Sequence, residues 1–141
     1  MYSIEYFLEK TQGDTESAMS NVVMQGNILR RSGYGWGQQR YNPYTPAHIK
    51  GWNYENTARG FVIEDNVFDR AAYRIIHTVS LDDESRPEMY DNTYIQYEGN
   101  VIGKMGGNRV KEPDDIVMDE NAETNIASVF GEKNAKIYVI R

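Results

Sequence analysis

The sequence predicts an all-β chain wound as a parallel solenoid of about three to four coils with long loops between them. Three observations carry this: an internal repeat, an apolar-polar alternation inside each copy, and an excess of strand and turn formers. The first copy reads Val22-Val23-Met24-Gln25-Gly26-Asn27-Ile28-Leu29-Arg30-Arg31-Ser32-Gly33-Tyr34. Thirty-nine positions on (62 − 23) stands Phe61-Val62-Ile63-Glu64-Asp65-Asn66-Val67-Phe68-Asp69-Arg70-Ala71-Ala72-Tyr73, with Val23/Val62, Asn27/Asn66, Arg31/Arg70 and Tyr34/Tyr73 identical. Thirty-four further (95 − 61) comes Ile95-Gln96-Tyr97-Glu98-Gly99-Asn100-Val101-Ile102-Gly103-Lys104. The shared frame is apolar-x-apolar-polar-x-Asn-apolar-apolar. Period two before the Asn means a strand. The 11 Tyr and 12 Gly, with many Asn, favour strands and tight turns over helices.

The elements follow in order. Tyr2 to Leu8 reads as a strand, and Thr11 to Ser20 is polar and turn-like. In each copy the chain bends at the Asn, which tolerates left-handed backbone and bonds its neighbours. A second short strand follows. Stacked copies would set equivalent residues about 4.8 Å apart. The expected inward ladders are Val22/Phe61/Ile95, Met24/Ile63/Tyr97 and Leu29/Phe68/Ile102. An Asn27/Asn66/Asn100 ladder would bond its amides from coil to coil, as buried amides require. In the long segment Gln38 to Ala58, Ala47 to Trp52 alternates as a third strand, stacked on Tyr73 to Thr78. Ile116 to Met118 would be the corresponding strand after the third copy. Ser80 to Asp91 is a second loop, and Lys136 to Ile140 an edge or capping strand. Residues 1–141 form a single domain, with clear coils over about 20–104 and a capping segment over about 105–141.

On these residues the chain resembles the right-handed parallel β-helix repeat proteins of the pectate-lyase-like superfold, which include polysaccharide lyases, polygalacturonases and many uncharacterised bacterial proteins. The resemblance spans roughly residues 20–104. It implies a right-handed parallel β-helix and a carbohydrate-active protein, glycan hydrolase- or lyase-like, whose partner is an oligo- or polysaccharide. Its site would lie where the first strands meet the long loops. The resemblance reaches the fold and stops before the chemistry. Neither a polygalacturonase-type run of paired aspartates nor a lyase motif is present. The alternative is therefore a non-catalytic module that binds glycan or caps a longer β-helix. Three coils are near the minimum of about three that a solenoid needs. The chain thus reads as the C-terminal portion of a longer β-helix, or as a short one whose open ends favour self-association.

Composition narrows the classes. Forty per cent hydrophobic and 26% charged residues belong to a globular chain. A net charge of −6 argues against a nucleic-acid partner. Cysteine is absent, which excludes disulfides and Cys-based metal sites. No run approaches the roughly 18 apolar residues of a membrane helix, so no membrane partner is expected. The first residues lack a signal-peptide pattern, which implies a cytoplasmic protein if the sequence is complete and leaves secretion open for a fragment. The charge is uneven. Residues 21–77 hold seven Lys/Arg against four Asp/Glu, and residues 111–141 hold four against seven.

Candidate chemistry is assigned on this frame. Glu64 and Glu98 share one frame position, so they would lie one strand apart on one sheet face. Close carboxylates split their pKa values and can supply an acid and a base. The plainer reading is two solvated surface glutamates. His48 and His77, the only histidines, lie in strand-like stretches; His48 joins the catalytic candidates as a proton shuttle. Tyr34, Trp36, Tyr44 and Trp52, in and beside the long loop, would offer flat faces to sugar rings, unless they only pack the loop down. Arg40, Lys50, Arg70, Arg74 and His77 would contact an acidic sugar, guanidinium groups gripping carboxylates bidentately; ordinary pairing with Asp65, Asp69 and Glu55 is the alternative. Arg31/Arg70/Lys104 would share a further ladder. Asp82-Asp83-Glu84 lacks the ligand spacing of calcium loops and reads as a solvated tip. The histidines and loop acids fit no metal-ligand motif. No metal and no cofactor are expected.

Overall fold

The computed structural model describes residues 2–9, 18–34, 46–54, 57–80, 86–105 and 115–141. They form an all-β fold of mostly parallel sheets with little helix. Strand β1 spans Tyr2–Glu9. Four strands follow: β2 (Ala18–Ser20), β3 (Val23–Gln25), β4 (Ile28–Ser32) and β5 (Ala47–Tyr54). The sequence of short and long strands then recurs as β6 (Thr57–Arg59), β7 (Val62–Glu64), β8 (Val67–Ala71) and β9 (Arg74–Ser80). A third pass gives β10 (Glu88–Tyr90), β11 (Thr93–Tyr97) and β12 (Val101–Met105). Strand β13 (Ile116–Val117), helix α1 (Ala122–Asn125), a π-helical turn α2 (Ile126–Phe130) and β14 (Lys136–Ile140) complete the chain.

Each strand pairs with its counterpart in the next pass. Sheet A has the order β1-β5-β9-β12-β13, sheet B β2-β6, sheet C β10-β7-β3 and sheet D β14-β11-β8-β4. All pairs are parallel except β12 with β13. The 39-residue repeat is the true register of the first two passes: Val23 faces Val62, Met24 faces Ile63 and Leu29 faces Phe68. The strand reading of Ala47 to Trp52 also holds, with Ala47 facing Arg74 and Ile49 facing Ile76. The strand expected near residues 2–8 forms β1, and Lys136–Ile140 stacks on β11.

The third pass corrects the sequence reading. Met89, not Tyr97, continues the Met24/Ile63 ladder, and Tyr94, not Ile102, continues Leu29/Phe68. The Phe61 position is continued next to Glu88, whose N–H bonds the Phe61 carbonyl, and not at Ile95. The offset is therefore 26 (88 − 62). Ile95 to Lys104 straddles two sheets. Its Asn100 lies in the turn between them, where its N–H bonds the Tyr97 carbonyl and its own carbonyl accepts from the Met118 N–H. The strand that continues β5 and β9 is β12, and Ile116–Val117 lies antiparallel on its free edge. Lys104 faces His77 rather than Arg70.

The bends come from left-handed residues. Gly26, Asp65, Asp91 and Asn134 have φ of 69°, 52°, 55° and 60°. Each stands one residue before the ladder position, so the ladder Asn does not itself make the turn. A second corner repeats at Arg31 and Arg70 (φ 58° and 46°). Gly and Asx residues adopt this region at low cost, while an arginine there must be held by its surroundings. Gly103 has φ 145°, and a Cβ there would sit 1.8 Å from the Ile76 carbonyl oxygen, so β12 can approach β9 only with glycine.

Inside, Met24, Ile63 and Met89 pack with Phe68, Tyr94 and Phe130. The rings of Phe68 and Tyr94 lie 5.4 Å apart and those of Tyr94 and Phe130 6.4 Å apart. Ile116, Met118, Ala122 and Ile126 join the same core.

An asparagine ladder runs through it. The Asn27 Nδ2 donates to Asn66 Oδ1 and the Asn66 Nδ2 to Asn92 Oδ1, both at 3.0 Å. Each acceptor oxygen also takes the backbone N–H of the preceding Asn at 3.0 Å. The fourth position is Ala135, since Lys136 faces Thr93. Glu132 reaches in instead. Its Oε1 accepts from the Asn92 N–H (3.1 Å) and Nδ2 (2.7 Å), and its Oε2 accepts from the Tyr94 hydroxyl at 2.5 Å.

Candidate functional site

The expected Glu64/Glu98 pair does not form. Glu64 ends β7 and faces Gln25 on one side and Tyr90 on the other. Glu98 lies beyond β11 in an exposed turn, its carboxylate 3.6 Å from the Arg141 guanidinium. The frame match that placed them together is the misaligned third copy. No shared site for an acid and a base follows from this register.

The basic and histidine candidates of sheet A do come together, but in the interior. His48, Lys50, Arg74 and His77 have no exposed surface. Lys50 and Lys104 both face His77, from opposite sides. Lys50 Nζ lies 2.5 Å from His77 Nδ1, and Arg74 Nη1 lies 3.4 Å from the same atom. An arginine only donates, so Nδ1 is the acceptor in its contact with Arg74. Arg74 also grips Asp115 with two bonds, Nε–Oδ1 at 3.1 Å and Nη2–Oδ2 at 2.8 Å. Buried cations persist only where partners replace water. His48 bonds the Ser32 hydroxyl (2.6 Å) and lies 3.2 Å from the Asp69 carbonyl, and burial pushes its pKa down to about 4. Lys50 and His77 tie β5 to β9 within sheet A, His48 ties β5 to β4 and β8 of sheet D, and all four side chains are withdrawn from a solvent-borne polymer.

Two other candidates lie on an open face. Strands β4, β8, β11 and β14 turn alternate side chains outward, giving the rows Ile28/Val67/Thr93/Lys136 and Arg30/Asp69/Ile95/Tyr138. Asp69 is buried beneath two guanidinium groups. Arg70 binds it with Nε at 2.6 Å and Nη2 at 3.1 Å, and Arg30 with Nε at 3.0 Å. The Arg70 bonds, more than the Arg30 charge, hold the Asp69 carboxyl below its usual range against the opposing effect of burial. Arg70 also bonds the Tyr97 phenol, and these two partners raise its own pKa. At the adjoining corner the Arg31 guanidinium lies 4.8 Å from the centre of the Tyr34 ring. The Tyr34 phenol is raised, first by burial and next by Tyr97. Tyr97 is 38% and Tyr138 58% exposed. Arg30, Arg31, Arg70, Lys136 and Arg141 stand here against Asp69 and Glu98. This is three net positive charges (5 − 2) in a chain of −6.

Of the expected binding residues this face unites Tyr34 and Arg70. Asp69 was expected only as an ordinary pairing partner, which it is for Arg70, and Tyr97 as an inward ladder residue, while Arg30 and Tyr138 were not singled out from the sequence. Their signal was the outward parity of β8, β11 and β14, readable only with the third pass correctly aligned. Trp36, Arg40 and Tyr44 lie outside the described residues, as does Asp82-Asp83-Glu84. Trp52 is a backbone position of β5 facing Phe7 and Val79.

A cleft of about 320 Å³ between β10 and the end of α2 is lined by Arg86, Glu88, Tyr90, Lys133 and the edge of Phe130. It includes none of the expected site residues. Among the described residues no three His, Asp or Glu side chains gather as metal ligands, and no helix is long and apolar enough to cross a membrane. Compared with known proteins, the chain matches no protein family, no curated protein and no solved structure.

Proposed function

We propose that the chain is a right-handed parallel β-helix module of the pectate-lyase-like kind that binds an acidic glycan without cleaving it. The repeated parallel pairing in four sheets supports the fold part of this reading. The observation that carries the function is the outer face of sheet D. Two exposed tyrosines stand beside an arginine-rich surface that is locally cationic in an acidic chain.

The physical fit is direct. A pyranose ring offers an apolar C–H face that lies flat on a tyrosine ring while its hydroxyls bond neighbouring polar groups. A uronate or sulfate adds an anion, which guanidinium groups receive with two parallel bonds. Arg30 keeps 64% of its side chain exposed while holding Asp69, so its remaining donors face solvent. The hydrolase or lyase reading loses its proposed carboxylate pair, which favours binding over turnover.

The test is calorimetric titration of oligogalacturonate and neutral cello-oligosaccharides at low and high salt, with turnover followed by reducing-end release. The expected result is salt-sensitive binding of the uronate alone, weakened several-fold in Tyr138→Ala and in Tyr97→Phe, with no reducing ends released. Equal affinity in Tyr138→Ala, or release of reducing ends by the wild type, would overturn the proposal.

A further inference from the structure

Sheet A extends one strand further than sheets C and D. Strand β1 stands on the outer edge of β5, while β3 and β4 are themselves the edge strands of their sheets. The Ser3 and Ser32 hydroxyls meet where β1 passes the end of β4. The result is a step: β1 forms the riser, and β3, the Gly26-Asn27 bend and β4 form the tread. Three features of the tread point to an occupant. Val23 and Ile28 are 56% and 67% exposed, on strands that pair on one side only among the described residues. The Asn27 side chain donates to Asn66 and to the Gln25 carbonyl, but among the described residues nothing donates to its Oδ1. The equivalent oxygens of Asn66 and Asn92 each accept two bonds. Arg30 and Arg31 are exposed on β4, and in the next pass the residue facing Arg30 is Asp69.

We propose that this step docks a strand-bend-strand segment of another polypeptide, added parallel to β3 and β4, with an asparagine at its bend and a carboxylate facing Arg30. The pass-to-pass interface already present in the molecule fixes the geometry. An Asn one position outward would give its N–H and Nδ2 to Asn27 Oδ1, as Asn27 gives its own to Asn66. Strand addition at an open edge gains main-chain hydrogen bonds, and the alternate side chains supply specificity. A carboxylate facing Arg30 is favoured over a cation at that one position by charge.

A labelled peptide with the sequence of residues 60–71 has all these features, since it carries the Asn66 bend and Asp69. Fluorescence anisotropy against the full chain is expected to show saturable binding. A peptide carrying Asn66→Ala keeps its backbone N–H but loses the Nδ2 donor to Asn27 Oδ1, which at about 1 kcal/mol corresponds to about fivefold weaker binding. Val23→Lys with Ile28→Lys, both outward-facing, is expected to abolish binding with an unchanged melting temperature, because edge lysines guard strands against pairing. Equal binding of the two peptides, or binding that survives the double lysine variant, would overturn the proposal. So would light scattering that finds a dimer which the lysine variant returns to monomer, since the occupant would then be a second copy.

Discussion

Removing the middle rung of the asparagine ladder tests the physical account most directly. Asn66 is 1% exposed and makes four side-chain hydrogen bonds. It donates to the Met24 carbonyl (2.8 Å) and to Asn92 Oδ1 (3.0 Å), and accepts from the N–H and Nδ2 of Asn27 (3.0 Å each). In Asn66→Ala those four partners lose a bond each. At a net of about 1 kcal/mol per bond the loss is about 4 kcal/mol. For a chain of this size that is a fall of roughly 10–15 °C in melting temperature. Asn66→Asp separates donors from acceptors. It keeps the one oxygen that accepts from Asn27 but replaces Nδ2 with a second, charged oxygen against Asn92 Oδ1 and the Met24 carbonyl. Such a carboxyl has a raised pKa, so this variant gains stability relative to wild type as the pH falls and the proton restores one donor. Asn100→Ala is the control, because the turn that holds it uses its backbone groups; its cost should be under about 0.5 kcal/mol. The assay is equilibrium urea unfolding followed by circular dichroism. An Asn66→Ala loss below about 1 kcal/mol, or an equal loss in Asn100→Ala, would refute the ladder as a source of stability.

Three further outcomes follow from single groups. Burial pushes the His48 imidazole from 6.5 to about 4, so the unfolded chain binds a proton in that window that the folded chain refuses. Stability is therefore full above about pH 6.5 and falls by about 3 kcal/mol on acidification to pH 4; His48→Gln should remove this acid-side fall in a melting series against pH. Burial, opposed by the bonds from Tyr94 and Asn92, raises the Glu132 carboxyl. Its contribution has the opposite sense, present below the usual carboxylate range and lost as the pH rises through the raised value, so Glu132→Gln should gain on wild type with rising pH in the same series. Gly103→Ala places a Cβ against the Ile76 carbonyl at a φ of 145°, and should cost more than about 3 kcal/mol, seen as loss of soluble, cooperatively melting protein.

The first two passes were legible because three independent signals agree there: period-two alternation, the Asn, and a constant spacing of 39. The third was misread because Ile95 to Ile102 fits the same frame by composition while running across a corner. The discriminating signal was the Asp-Asn dipeptide. Asp65-Asn66 recurs as Asp91-Asn92, with a buried aromatic two residues on in Phe68 and Tyr94. Aligning the frame on the Asn alone discarded the left-handed residue that makes the bend. The face on sheet D was illegible for a related reason. Tyr138 comes near Asp69 only because β14 stacks on β11 and β11 on β8, and that order exists only in the correct register. Burial of Lys50, Arg74 and Lys104 had no local signal at all. Alternation assigns charged strand residues to solvent, and the partners of Lys50 and Arg74 lie 27 and 41 positions away.

The ladder also has a direction, and the two ends differ because of it. Every amide donates from one pass to the next in the order 27, 66, 92, so each rung needs an acceptor on one side and a donor on the other. At the far side, Asn92 needs only acceptors. Glu132 supplies them through Oε1, while Tyr94 occupies its second oxygen. A fifth rung laid on β14 would find Ala135, which carries no amide, so the series stops there for chemical rather than steric reasons. At the near side, Asn27 presents an acceptor, the one group that a neighbouring amide can complete. Strand pairing through the main chain has no such preference, since β4 and β14 are both edge strands of the same sheet among the described residues. The side chains therefore make one end of the sheet receptive and the other inert. Ala135→Asn with Glu132→Ala should abolish that difference. The doubly substituted chain is expected to bind the 60–71 peptide at both ends, doubling the stoichiometry measured by calorimetry, and an unchanged stoichiometry would show that the main chain alone decides where strands add.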